Sequence, residues 1–403
     1  MNLKKTFLAF VCILTVILLA ISLFNFSIAD DGWTRVASGG FGDSNNKIVT
    51  SSAVYNSALY VGTRNLTDGG EVWRYNGAGW TQVNESGFGN KDNIEIASLV
   101  SFNGKLYAAT ENQAEEGGGA EVWEYDGTNW IQVDEGNFKG ENMMLRIDAM
   151  IVFDDKLYVG ANYGGETGSI GAQIWTYDGS AWERIMEGGF GSEHTRLLSF
   201  AIYNSKLYVG TQSTLNSAQV WRYDGGTNWT QVNKDGFEDD VDKVYSLEVY
   251  NGKLYAGVRD NGIADAGGYL WEYSGSGDVW VKKSSRIDSA LYDMVLIVYG
   301  QNLYIATDNA LYGSRVYLYN GTNISPISEY NFSTGKNAAI FTAATYQRPG
   351  GSQMLYVGTG NDDGAEVWAY YPPSTSTPTS TPASTPTPTP SIRNLPRTGQ
   401  NDW

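Results

Sequence analysis

Leu207-Tyr208-Val209-Gly210-Thr211, followed by Gln219-Val220-Trp221-Arg222-Tyr223-Asp224-Gly225 and then Trp229-Thr230-Gln231-Val232, decides the fold, because versions of it return along nearly the whole chain. The opening Leu-Tyr recurs at Leu59, Leu106, Leu157, Leu207, Leu254, Leu303 and Leu355, at spacings of 47 to 52 residues. A period of that size marks one supersecondary unit copied and stacked.

Each copy holds four short apolar runs, a to d. Run a is exemplified by 94–102, 196–203 and 243–250. Run b is the Leu-Tyr-Val-Gly-Thr type, and run c is Glu71-Val72-Trp73-Arg74-Tyr75 with relatives at Glu121, Gln173, Gln219, Tyr269, Arg315 and Glu366. Run d is Trp80-Thr81-Gln82-Val83 and the stretches beginning at Trp130, Trp182, Trp229 and Trp280. Asn103-Gly104 and Asn251-Gly252 stand between a and b, and Asn76-Gly77, Asp126-Gly127, Asp178-Gly179, Asp224-Gly225 and Asn320-Gly321 between c and d. Such dipeptides reach the positive φ of two-residue hairpin turns, so consecutive runs are expected to pair antiparallel as a four-stranded meander. A sheet apolar on both faces must stack on its neighbours, and closing the stack into a ring removes its open ends.

The expected fold is therefore all-β, a seven-bladed β-propeller of four-stranded antiparallel blades. Runs a, b and c each occur seven times, but no run d follows Trp368, whereas an orphan run d, Trp33-Thr34-Arg35-Val36, precedes the first run a. That orphan is expected to pair in the last blade and close the ring. The fourth residue of run b is always small (Gly62, Ala109, Gly160, Gly210, Gly257, Ala306, Gly358), as crowding near the axis demands. The repeats over about 32–370 resemble kelch-type propellers, whose blades carry a Leu-Tyr-led strand, a Val-x-x-Tyr-Asp strand and turn (here Val122 to Asp126), and then a tryptophan. Where kelch blades carry a double glycine, this chain has Gly-Thr or Ala-Thr.

Outside the repeats, residues 1–29 contain Lys4, Lys5, an apolar run and Ser27-Ile28-Ala29, which reads as a secretory signal, with an N-terminal membrane anchor as the alternative. The only cysteine, Cys12, lies in it, so the mature domain at 30–371 is expected to lack thiol chemistry. Cleavage removes two lysines and no acids, taking the net charge from −17 to −19. So acidic a surface argues against nucleic acid and anionic membrane as partners and for a secreted or cell-surface protein, expected as a monomer. Eight of the ten prolines lie after Tyr371, and 372–394 reads as a Thr/Pro-rich disordered stalk reaching roughly 50 Å at ~3.1 Å per residue. In the last segment, 395–403, Leu395-Pro396-Arg397-Thr398-Gly399 resembles the Leu-Pro-x-Thr-Gly signal of sortase substrates, which implies covalent cell-wall attachment.

The a-to-b and c-to-d turns share one face, and the b-to-c and d-to-a loops the other. The b-to-c loops vary, from 360–365 to 162–172, so binding is expected on that face. Near the start of run a, equivalent positions hold Glu95, Arg146, Arg196, Lys243 and Tyr292, and three cations at a channel mouth would draw an anionic ligand. Phe41, Phe88, Phe138, Phe190, Phe237 and Phe332 recur in the d-to-a loops as plugs between blades. Calcium is a candidate ion for the acidic loops at Glu115-Glu116 and Asn361-Asp362-Asp363; no other cofactor is suggested. Within 30–371, Asn65, Asn84, Asn228, Asn320, Asn323 and Asn331 each stand in an Asn-x-Ser/Thr context. His194, the only histidine, falls in a polar loop, so histidine-centred triads and multi-histidine metal sites are excluded. The expected function is noncatalytic recognition or adhesion, directed at a glycan or extracellular protein. The alternatives are a carboxylate-dependent glycoside hydrolase or lyase, and a structural surface-layer component.

Overall fold

The computed structural model describes residues 32–372 except 115–117, 135, 137–143, 164–170, 192–193, 214–216, 261–266, 289–290 and 310, and leaves out the side chains of 194–195 and 291–293. Phe138, Glu115, Glu116, the leader, most of the stalk and the Leu395 to Gly399 motif lie outside the described residues. The chain divides into two units, Met1–Tyr371 and Pro372–Trp403.

The fold is all-β. Strand a opens each repeat at Ile48–Tyr55, Asn93–Phe102, Met144–Phe153, His194–Tyr203, Val241–Tyr250, Leu291–Tyr299 and Asn337–Gln347. Each pairs antiparallel with its own strand b, which pairs with c, which pairs with d. In the repeat that ends the domain, strand c is Val367–Tyr370, and its fourth partner is the N-terminal strand Trp33–Ala37, with Trp33 opposite Tyr370 and Arg35 opposite Trp368. The a strands touch in sequence, and the first also touches the last. This radial stacking of meanders is that of a β-propeller.

Turn chemistry differs between the two hairpin types. Five of the a-to-b turns are the expected two-residue kind, with both central residues at positive φ, as at Asn103 (48°) and Gly104 (74°); in the sixth only Gly300 (60°) is at positive φ, and the seventh is a longer loop, 348–352. The c-to-d turns are longer: Oδ1 of Asn76 accepts from the backbone N–H groups of Ala78 and Gly79, and Asp126 does the same for Thr128 and Asn129. There the Asn or Asp side chain caps the turn and only the following glycine carries positive φ, so the two-residue reading of these turns is corrected.

Packing between repeats rests on small residues and aromatics. A Cβ on Gly358 would fall 2.4 Å from Val49 Cγ1, and one on Gly210 2.6 Å from Val244 Cγ1, both on the next strand a. Each described phenylalanine plug packs against two tryptophans of the repeat that follows it: Phe88 stacks on Trp123 at 4.5 Å and meets Trp130 edge-on at 5.1 Å. Phe332 stands in the same way against Trp368 (4.8 Å) and Trp33 (5.1 Å), one tryptophan from each end of the domain.

Neighbouring repeats are also bridged at their inner edge. Single pairs join the end of one strand b to the start of the next strand a: Arg64 with Glu95, Glu111 with Arg146, and Gln212 with Lys243. With a fourth pair, Ile48 with Gly360, these bridges merge six of the meanders into sheets of 16 and 8 strands and leave the sixth repeat as a sheet of four. They also set the candidate residues side by side.

Candidate functional site

Strand a begins, and strand b ends, at the face of the b-to-c and d-to-a loops. A cavity of about 450 Å³ opens there, and every repeat contributes to its wall, from Thr50 in the first strand a to Phe341 in the last. Glu95, Arg146, Arg196 and Lys243 all line it. The side chain of Tyr292 lies outside the described residues, and the register corrects its equivalence: Met294 stands opposite Thr307 as Leu197 stands opposite Thr211, so Asp293, and not Tyr292, takes the place of Arg196 along the strand.

The expected trio of cations does not stand open to an anion. Arg146 grips Glu95 with two charge-assisted bonds, Nη1 to Oε2 at 2.8 Å and Nη2 to Oε1 at 2.6 Å, and also pairs with Glu111 and Asp148. Arg196 holds Asp148 through Nε at 3.0 Å and Nη2 at 2.6 Å. Asn162, buried, donates to Asp148 Oδ2 at 2.5 Å and accepts from the Leu197 backbone N–H at 2.8 Å. Lys243 donates to the Tyr245 hydroxyl at 2.9 Å, and its ammonium lies 5.1 Å from that ring's centre. The attraction for an anion is therefore replaced by a chain of alternating charges, in which an incoming group exchanges into existing pairs.

Burial and charge divide the acids. Burial pushes the Glu95 carboxyl up from its ordinary value, with Arg146 opposing and Glu111 adding to the rise. Burial also works against ionisation of Asp148, but the charges of Arg146 and Arg196 outweigh it and hold the carboxyl well below the usual range. At Glu111 burial is outweighed in the same way by Arg146, and the net shift is downward. The two arginines are held firmly charged by the same acids.

Asp148, Glu111, Arg64, Asp308 and Tyr245 were missed from the sequence. Two signals point to them: alternation places Asp148 and Tyr245 two residues beyond Arg146 and Lys243 on the same side of strand a, and Arg64, Glu111 and Asp308 close strand b where it meets the next strand a.

Other candidates are placed differently. His194 opens a strand opposite Ser213 and is not in a loop. Asn361 is buried and its Oδ1 caps the Asp363 N–H, and Asp363 pairs with Lys336. Among the described residues no group of three or more His, Cys, Asp or Glu is placed to hold a metal ion. Asn65 is buried and its Nδ2 donates to Asp43, which closes that Asn-x-Thr site to modification.

No known protein family's pattern matches the chain, and no curated protein matches it. Among solved structures it is similar to Saccharomyces cerevisiae Sqt1 (14% identity, TM-score 0.49, covering 82% of this chain and 98% of that one). It is also similar to an Aleuria aurantia lectin mutant in complex with Fucα1-6GlcNAc (13%, 0.47, 72% and 97%) and to a Trypanosoma rangeli sialidase mutant displaying trans-sialidase activity (13%, 0.44, 68% and 53%). At these levels the likenesses carry no functional argument.

Proposed function

We propose that 30–371 is a seven-bladed propeller, closed by Trp33–Ala37 in the last blade, that works outside the cell as a noncatalytic recognition domain for a glycan or an extracellular protein. The contact between first and last strands a, and the Phe332 sandwich drawn from both ends, support the closure. The observation that carries the recognition reading is the axial cavity on the variable-loop face. Its volume is within the ~300–1,000 Å³ usual for small-ligand sites, and its wall combines hydrogen-bonding groups with the rings of Tyr245 and Phe341. Arg146 and Arg196 each hold a carboxylate through two bonds, so the acids present a fixed polar surface and not an unengaged nucleophile.

One observation favours an enzyme: Glu95 and Asp148 share the cavity with their carboxyls displaced in opposite directions, as in an acid and its ionised partner. The two readings separate by experiment. Residues 30–371 are screened against arrayed glycans and matrix proteins, and any hit is retested with Tyr245→Ala and Lys243→Ala. Loss of at least one hit in both variants at unchanged melting temperature is the expected result. Hydrolysis of an aryl glycoside that disappears in Glu95→Gln would establish the enzyme instead.

A further inference from the structure

A second cavity of about 450 Å³ lies off the axis on the same face, between the sixth and seventh repeats, lined by Leu311, Tyr312, Asn331, Lys336 and Asp363 among others. Its backbone frame is repeated elsewhere in the molecule. In the sixth repeat, Oδ1 of Asn309 accepts from the N–H groups of Leu311 and Tyr312, both at 2.9 Å, and the Asn331 N–H reaches the Ser314 carbonyl at 2.8 Å. In the first repeat, Oδ1 of Asn65 accepts from Thr67 and Asp68 at 3.0 and 2.9 Å, and the Gly87 N–H reaches the Gly70 carbonyl at 2.8 Å. A cleft of about 470 Å³ opens beside that frame, and its lining is mostly acidic: Asp43, Asp68, Glu71 and Glu85.

On one frame, then, two linings have been set. Where the first cleft is lined by Asp68, the sixth-to-seventh cleft is lined by Tyr312, and behind it stands Tyr330, its ring centre 5.6 Å from that of Tyr312 and the planes at 40°. The Arg315 guanidinium sits 4.3 Å from the Tyr330 ring centre, which holds that ring in place. Tyr312 remains 54% exposed and Leu311 71% exposed, a large apolar surface that the fold does not use. Beside it stand an amide and an exposed ion pair: Asn331, whose Nδ2 donates to the Tyr312 carbonyl at 2.7 Å, and Lys336 with Asp363. An exposed ion pair contributes little to stability, so its groups can turn to a ligand at small cost.

We propose that this cleft is a separate carbohydrate site that takes a neutral pyranose, its C–H face laid on Tyr312 and its neighbouring hydroxyls shared between Asp363 and Lys336. A ring face offers a π surface to C–H groups, and flanking polar side chains fix orientation, which is the division of labour in small-ligand sites. The site shares no side chain with the axial cavity and stands whether or not that cavity binds anything.

The test titrates residues 30–371 with the methyl pyranosides of galactose, glucose, mannose, fucose and N-acetylglucosamine, read by saturation-transfer NMR and calorimetry. At least one is expected to bind, Tyr312→Ala to weaken it about tenfold or more, and Tyr312→Phe, which keeps the ring, to retain it. Lys243→Ala, in the axial cavity, should leave this binding unchanged. Failure of all five sugars, full retention in Tyr312→Ala at an unchanged melting temperature, or loss in Lys243→Ala would each overturn the proposal; the last would move the sugar to the axial cavity.

Discussion

Single residues show most directly where the repeat is kept and where it is broken. Opposite the tyrosine of each Leu-Tyr pair, strand a presents Ala53, Val100, Ile151, Ala201, Glu248, Ile297 and Ala344. Six are apolar and one is an acid. Burial pushes Glu248 up to about 7, against a backbone N–H from Val249 that favours its charged form. Its folded value lies above the unfolded one, so its contribution is complete below about 4.5 and is lost as pH rises through 7. The loss is at most ~3 kcal/mol. Glu248→Leu should therefore flatten the fall in melting temperature between pH 5 and pH 8, and a slope equal to wild type would refute the assignment. Gly358→Ala places a methyl 2.4 Å from Val49 Cγ1 and should cost ~1–3 kcal/mol in denaturant melts, whereas the equivalent Ala109 and Ala306 already carry that methyl.

At the scale of elements, the N-terminal strand does the work of a missing fourth strand. Trp33 is fully buried, its Nε1 donates to the Ile327 carbonyl at 3.0 Å, and Arg35 pairs with Glu366 at 2.8 Å. Trp80, Trp130, Trp182 and Trp280 make the same indole bond to Val36, Val83, Val133 and Val232, each in the repeat before their own. Trp33→Ala should cost ~3–5 kcal/mol, as for a large core residue. Deleting 30–37 should lower the melting temperature further, and an unchanged melt for either would refute closure. The a and d runs, the positions of the turns and the described phenylalanine plugs were legible in the sequence because each depends on local pattern; the c-to-d turn type was not. The burial of Asn65 was not, since it depends on contacts with Asp43 and Asn46, some twenty residues away.

For the whole molecule, the ends of the domain behave as one hairpin. The Tyr371 N–H reaches the Gly32 carbonyl at 2.8 Å, so an Asn-Gly linker joining 371 to 32 would complete a continuous meander. A permutant with this linker, opened at the exposed Asn251-Gly252 turn, should keep its ligand binding and melt within a few degrees of wild type. A large loss of stability would show that the two ends do not share a sheet in solution. Because every repeat lines the axial cavity, Trp33→Ala should also weaken a ligand bound there, although Trp33 does not line it.

The sequence by itself determined the all-β class, the four-run repeat, the two candidate strands for closure and the face on which loops vary, because hydrophobic alternation, turn dipeptides and fixed spacing are local properties. It also brought forward Glu95, Arg146, Arg196 and Lys243. Only the tertiary structure decided what those four do: ion pairing needs partners such as Glu111 and Asp148, and which charges meet is fixed by the single-residue bridges between neighbouring repeats. The Tyr312 cleft was likewise out of reach, since it joins loops from two repeats and its exposure is a property of the assembled face.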